Sequence, residues 1–475
     1  MAVEQVLILL TLVVGFYMAW NIGANDVSNA MGTSVGSGAL TLKRAVLLAA
    51  VLEFSGAFFV GAPVTETMQR GLIDTTLFLT DPLQLILGMC AALFGTGIWL
   101  QCASFFGWPV STTHAIVGAI LGFGGLVGGV DAIKWSEVLF ILLSWVVSPF
   151  VSAFFSYLFF YFLQRRILFT LNPKETTKRL MPYLIFIVFA TFTLSLVFNG
   201  LENLNLSISF PQAIAIAIVA GLVAGTLCFL IMRRVSFSDV ALATPSRMLP
   251  QNVVSLEKAV KHLQRVKVAT QDEVHDTVSK LLFDVQSLTQ TVREKTKFSE
   301  PTSEYHVVEK MFVYLQILSA CFVAFAHGAN DVSNAIGPVA VVLDIIKNGA
   351  VSQIAPIPPW LLALGGVGIV LGLATWGWRV METIGKKITE LTPTRGFCAE
   401  FGAATTILCA SKLGLPISTT HCLVGAVLGI GLARGIKALN LGMLREIILS
   451  WIITIPASAT LCILVYYLLR WIFLS

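Results

Sequence analysis

The sequence predicts an all-α polytopic membrane protein of about 12 transmembrane spans, built as two inverted-topology repeats with broken helices. Three observations predict it. Of the 475 residues, 56% are hydrophobic and 12% charged, a balance that excludes an ordinary water-soluble core. Apolar runs of about 20 residues, enough to cross a hydrocarbon layer of ~30 Å, recur from one end of the chain to the other. Finally, "GANDVSNA" begins at Gly23 and again at Gly328, and "CASFFGWPVSTTHAIVGAILG" from Cys102 returns as "CASKLGLPISTTHCLVGAVLG" from Cys409.

The elements follow in order. The opening "MAVEQVLILLTLVVGFYMAW" lacks the basic region and small-residue cleavage site of a signal peptide, so it reads as a retained first span. Residues 4–40 are too long for one straight helix and should break near Gly23; 43–61, 82–107, 111–130 and 136–163 complete a first series of five. Two plain spans, 181–198 and 211–232, come next. The second series is 311–347, again broken at its GAND sequence, then 358–378, 396–413, 416–434 and 443–472. The chain therefore divides into a first repeat (1–163), two connecting spans (164–234), an insert (235–310) and a second repeat (311–475). Segment 233–310 holds 12 Lys and Arg against 10 Asp and Glu, and Val274, Val278, Leu281, Leu282, Val285, Leu288 and Val292 recur at helical spacing. That is the pattern of an amphipathic helical insert, able to pack on itself, on the spans or on a partner.

Positive charge fixes the orientation. The loop after the fifth span carries Arg165, Arg166, Lys174, Lys178 and Arg179, the segment 233–310 carries twelve basic residues, and the loop 199–210 carries none. The first two are thereby cytoplasmic, at the cell (inner or plasma) membrane, with both termini outside. The net charge of +5 is read through this asymmetry, since no nucleic-acid motif accompanies it. All eight cysteines lie in apolar stretches and read as small packing residues. The duplicated landmarks keep offsets of 305 and 307 residues, and "SWVVSP" at Ser144 returns as "SWIITIP" at Ser450. Seven crossings, an odd number, separate the copies, so they should lie in opposite senses across the bilayer. Secondary transporters built this way bind their cargo near the midplane.

The GAND motif carries the cation chemistry. An aspartate at mid-bilayer costs on the order of 3 kcal/mol, and no Lys or Arg lies near Asp26 or Asp331 in the motif. On a helix Asn25, Asp26 and Asn29 gather toward one side, as do Asn330, Asp331 and Asn334. One carboxylate with amide oxygens and the carbonyls of a helix break suits a hard monovalent cation, Na⁺, at Asp26 and at Asp331. The bland reading, a polar cap on a helix break, is weakened by the second copy.

The second motif suits an anion. Gly and Pro precede Ser111, Thr112 and Thr113, and again Ser418, Thr419 and Thr420, which marks two helix N-termini. Free N–H groups, half a positive charge and three hydroxyls at each end fit a tetrahedral oxyanion without any arginine. Capping or interhelical packing is the ordinary meaning of one such stretch. A Ser/His hydrolase is a poor alternative, because Ser111 and His114 share one helix face with no strand-turn elbow and no orienting acid. Glu53 and Glu400 each sit inside an apolar span with no basic residue within a turn, where they could assist a cation site or carry a proton. His114, His327 and His421 flank the motifs and read first as hydrogen-bonded structural groups.

These residues resemble the PiT family of inorganic phosphate transporters: "GANDVSNA" twice, "PVSTTH" with "PISTTH", "LEFSGAFFVG" and "LTPTRGFCAEFGAA". The resemblance covers about 1–160 and 311–475; no family motif is visible in 235–310. It implies uptake of phosphate coupled to Na⁺ or, in many bacterial members, H⁺. It also implies cation sites at Asn25, Asp26, Asn330 and Asp331, phosphate contacts at both Ser-Thr-Thr runs, and the family's intramembrane glutamates at Glu53 and Glu400. The expected function is import of inorganic phosphate by Na⁺ symport through alternating access, with no cofactor beyond the co-transported ion and with the lipid bilayer as surroundings. A homodimer is compatible with this reading. Symport with H⁺ or of a metal-phosphate, a sulfate permease on the same fold, and an anion channel remain the alternatives.

Overall fold

The computed structural model describes residues 2–70, 72–170, 172–200, 208–234, 250–269, 272–298, 303–351, 355–378, 380–381, 391–435 and 441–474. The elements used below are α1 (Ala2–Asn25), α2 (Val27–Gly36), α3 (Leu42–Val60), α4 (Ala62–Arg70), α5 (Pro82–Phe105), α6 (Thr112–Gly128), α7 (Trp135–Leu163) and α8 (Pro173–Gly200). They continue as α9 (Phe210–Arg234), α10 (Pro250–Ala269), α11 (Asp272–Phe298), α12 (Ser303–Asn348), α13 (Pro359–Trp376), α14 (Pro393–Lys412), α15 (Thr419–Arg434) and α16 (Leu441–Leu474). Among the described residues no β-strand forms beyond an isolated bridge between Ile73 and Ile133.

The chain is an all-α, multi-pass membrane protein. Eight helices among the described residues are long and apolar enough to cross a bilayer, or nine if α3 and α4, bent by 67° about Gly61, make one span. A count of twelve also needs α14 and the short α6 and α15. With 17 and 16 residues, these last two reach only about 25 Å.

The expected helix breaks are present in one copy and absent in the other. At the first motif the helix is interrupted only at Asp26, whose N–H still reaches the Ile22 carbonyl at 2.8 Å. The second motif lies inside the unbroken α12. The reason is what the glycines are for. A Cβ on Gly23 would collide with the Ile369 carbonyl of α13, and one on Gly328 with the Glu53 carbonyl of α3. Both glycines admit a neighbouring backbone rather than unwind their own.

Those contacts show how the copies interlock. α1 of the first copy packs on α13 of the second, while α12 of the second packs on α3 of the first. Gly372 meets Trp20 and Gly56 meets Phe325 in the same crossed sense. Farther along, Gly118 and Gly122 of α6 face Ile455 and Ala459 of α16, and Gly425 and Gly429 of α15 face Pro149 and Ala153 of α7. Residue i of one copy thus meets j of the other, and i′ meets j′, as in an isologous pair. Small residues dominate these seams because apolar lipid offers no hydrophobic gain for association, leaving close van der Waals approach to hold helices together. On α3 the buried face reads Ala45, Ala49, Glu53, Gly56, Ala57 and Val60.

Two compact units emerge. One comprises Met1–Tyr161, Tyr183–Leu227 and Phe312–Ser475 and holds both motif pairs; the other comprises Phe162–Pro182 and Cys228–Met311. In the second unit α10 packs against α11, burying Val278 and Leu282 while Val274, Leu281 and Leu288 stay exposed. The Tyr305 hydroxyl donates to the Leu168 carbonyl there. The insert therefore packs in part on itself. Four cysteines are buried, Cys90, Cys398, Cys422 and Cys462, whereas Cys102 and Cys409 are exposed at matching positions and do not serve as core packing.

Candidate functional site

Both Ser-Thr-Thr runs begin helices for the reason the residues suggest. Ser111 and Ser418 take extended backbone (ψ 120° and 111°), and their Oγ atoms accept the N–H groups of His114 and His421, each at 3.2 Å. Accepting leaves each serine its hydroxyl proton to donate. The threonines that follow turn inward. Thr112 Oγ1 donates to Asp26 Oδ2 at 2.6 Å, and Thr420 Oγ1 donates to Asp26 Oδ1 at 2.9 Å. Thr419 Oγ1 donates to Asp331 Oδ2 at 3.0 Å. The two helix ends, separated by 307 residues in sequence, thus converge on one carboxylate. All of these groups are buried, with Asp26 at 1% and Asp331 at 0% exposure.

The amides hold this arrangement together. Asn25 Nδ2 donates to Ser104 Oγ at 2.9 Å and to the Trp108 carbonyl at 3.1 Å, while its Oδ1 accepts the Val110 N–H at 3.3 Å. Asn330 meets Ser411 Oγ at 3.1 Å, the same contact one copy on. Asn25 and Asn330 therefore position the loops that precede the helix ends. Asn334 Nδ2 donates to Thr112 and Thr113, each at 3.2 Å, which ties the second GAND motif to the first hydroxyl run. Asn29 lies on α2, and its side chain falls outside the described residues.

Only one copy gains a histidine. His327 Nδ1 lies 2.8 Å from Glu53 Oε2, and its Nε2 lies 2.9 Å from Asp331 Oδ2. An imidazole between two carboxylates must donate from both nitrogens, or one carboxyl must keep a proton. Asp26, His327 and Asp331 each offer a ligand atom, all within 4.8 Å of one another. Glu400 is separate. Its Oε1 accepts from Thr33 Oγ1 at 2.5 Å, Ser34 Oγ at 2.7 Å and Gln316 Nε2 at 3.3 Å, and its Oε2 from Ser319 Oγ at 2.5 Å. The sequence groups Glu53 with Glu400, yet the structure gives them unlike surroundings: a histidine for one, hydroxyls for the other. Gln316 and Ser319 are three apart and Thr33 and Ser34 adjacent, so the donors around Glu400 leave only a faint signal inside apolar spans.

A buried pair of carboxylates facing two helix N-termini is an arrangement suited to binding. Comparison with known proteins agrees. The model of the phosphate transporter family matches residues 22–462. The chain belongs to the phosphate transporter family. It is a membrane transport protein for phosphate and not an enzyme, and the match runs through the insert where no motif is visible. A putative phosphate permease of Chlamydia pneumoniae is 45% identical, over 98% of this chain and 99% of that one. The chloroplast inorganic phosphate transporter 2-1 of Arabidopsis thaliana is also 45% identical, over 98% of this chain and 71% of its own length. Among solved structures, one described as the sodium-dependent phosphate transporter superposes with a TM-score of 0.76 at 35% identity, covering 98% of this chain and 100% of that one.

Proposed function

We propose that this transporter imports inorganic phosphate across the cell membrane by Na⁺ symport and alternating access, with its termini outside and residues 233–310 in the cytoplasm. One observation carries the reading: Thr112 and Thr420, from opposite copies, donate to the same Asp26 carboxylate beside Asp331. Phosphate needs those hydroxyl protons, and the aspartates now take them. A cation among Asp26, His327 and Asp331 would draw the carboxylate oxygens to itself and release the hydroxyls to the anion. It would also offset a repulsion of about 4 kcal/mol per pair of unit charges at 4 Å and an effective dielectric constant of 20. Coupling follows, because phosphate without the cation meets both the repulsion and the lack of donors. The sodium dependence of the solved relative supports Na⁺ as that cation.

The placing of His327 between Glu53 and Asp331, where the three groups must share at least one proton beyond the neutral imidazole, favours one second reading, H⁺ in place of Na⁺. Proteoliposomes separate them. An imposed inward Na⁺ gradient at equal pH should drive phosphate accumulation severalfold above equilibrium. Accumulation under a pH gradient alone, with none under Na⁺, would overturn the sodium reading.

A further inference from the structure

Each Ser-Thr-Thr run is followed at once by a histidine to which the transport reading gives no task. His114 and His421 are both buried, and their rings meet edge to face with centroids 4.3 Å apart at 78°. Each ring is also covered by a tryptophan. His114 stacks on Trp145 of α7 at 3.8 Å, and His421 on Trp451 of α16 at 3.6 Å, with nearly equal tilts of 30° and 29°. Four rings therefore stand in one row, Trp145, His114, His421, Trp451, running from a first-copy helix across both helix ends to a second-copy helix.

The row is pinned to the backbone that presents the hydroxyls. His421 Nδ1 lies 3.4 Å from the Trp145 carbonyl, and Trp145 Nε1 donates to the Pro416 carbonyl at 3.0 Å, two residues before Ser418. Thr113 Oγ1 donates to the Ile417 carbonyl at 3.1 Å, and Thr420 Oγ1 lies 3.4 Å from the Val110 carbonyl, so each end also holds the loop of the other. Both histidines occupy the third residue of a first helical turn. The distance between their rings therefore sets the distance between the two sets of N–H and hydroxyl donors. Aromatic rings suit this task because they resist compression and have few rotamers. A ring nitrogen within reach of a backbone carbonyl fixes the rotation that a phenyl ring would leave to packing.

We infer that His114 and His421 are positioning residues that set the gap between the two Ser-Thr-Thr helix ends and so select a tetrahedral oxyanion by size. The inference rests on the reading that those ends hold phosphate. A donor set fixed by rigid spacers discriminates between anions of equal charge and unequal bond length; one free to close around its guest does not.

The test is phosphate uptake into proteoliposomes by His114→Ala, His421→Ala and the phenylalanine variants, with arsenate, which has longer bonds at similar charge, as competitor. Each alanine variant should raise the phosphate KM roughly tenfold, hold kcat within about twofold and narrow the preference for phosphate over arsenate. Phenylalanine, which keeps the row, should recover most of the KM. Unchanged KM and unchanged preference in both alanine variants would overturn the inference, as would phenylalanine performing no better than alanine. If an alanine variant does not elute as folded protein, Trp145→Phe decides: it keeps the stack but drops the bond to Pro416, and a phosphate KM that does not rise overturns the proposal. Thr112→Val and Thr419→Val are measured alongside. A normal phosphate KM in both removes the helix ends as the phosphate seat; a raised KM in these with normal histidine variants removes the positioning role alone.

Discussion

Asp26 and Asp331 begin from the same eight residues and end in different company. Asp26 holds a threonine from each copy, whereas Asp331 holds one threonine and a histidine backed by Glu53. The difference arises from two positions outside the octapeptide. Ile22 stands where the second copy has His327, and Ile369 stands where Glu53 is found, as the matching collisions of Gly23 and Gly328 establish. An apolar pair of positions in one copy is thus an ionisable pair in the other. Duplication supplies two seats of one design, and two substitutions make them unequal.

The largest expected effect separates the two aspartates. Asp26→Asn keeps shape but gives up the charge that gathers both threonines, so phosphate uptake should fall on the order of a hundredfold and Na⁺ activation should weaken. Asp331→Asn should cost less uptake and more stability, because it strands His327 beside Glu53. Parallel isotope uptake and thermal unfolding of the two proteins check this, and equal losses in both readouts would break the comparison.

A second measurement converts one copy toward the other. His327→Ile alone leaves the buried Glu53 without its histidine and should destabilise by about 3 kcal/mol, whereas Glu53→Ile leaves His327 its second carboxylate, Asp331, and should cost less. The double variant, which reproduces the isoleucine pair of the first copy, should lose less than the two single losses together. A double-mutant cycle on unfolding midpoints reads the coupling directly.

The smallest effect sharpens the comparison where the copies agree. Ser111 and Ser418 cap their helices with the same geometry, so alanine at either should cost about 1 kcal/mol. Losses differing by more than about twofold would show that one hydroxyl has a further partner.

The helix ends at Ser111 and Ser418 were legible because Pro followed by hydroxyls has one dominant meaning at the start of an apolar helix. The unbroken helix through Asn330 and Asp331 was not. A glycine in an apolar run signals either a bend or a close neighbour, and only the packing partner, Glu53 on α3, decides. The unlike roles of Glu53 and Glu400 stayed hidden for a related reason. Their surroundings come from residues hundreds of positions away, such as His327 and Thr33, and no local period encodes such a pairing. In the insert, spacing identified α11 but left open which stripe would be covered.

The crossed packing of α1 on α13 also has a meaning in time. Gly23 and the Ile369 carbonyl it admits are 346 residues apart in the chain. At synthesis rates of roughly 5–20 residues per second, the first helix spends on the order of 20–70 s without its lasting neighbour. Asn25 and Asp26 at its end wait less, since Ser104, Trp108 and Thr112 follow within 86 residues. Assembly therefore ends as a clasp closed by the late helices, and a chain truncated before residue 359 could close the seam of α3 with α12 but not those of α1 with α13, α6 with α16 or α7 with α15.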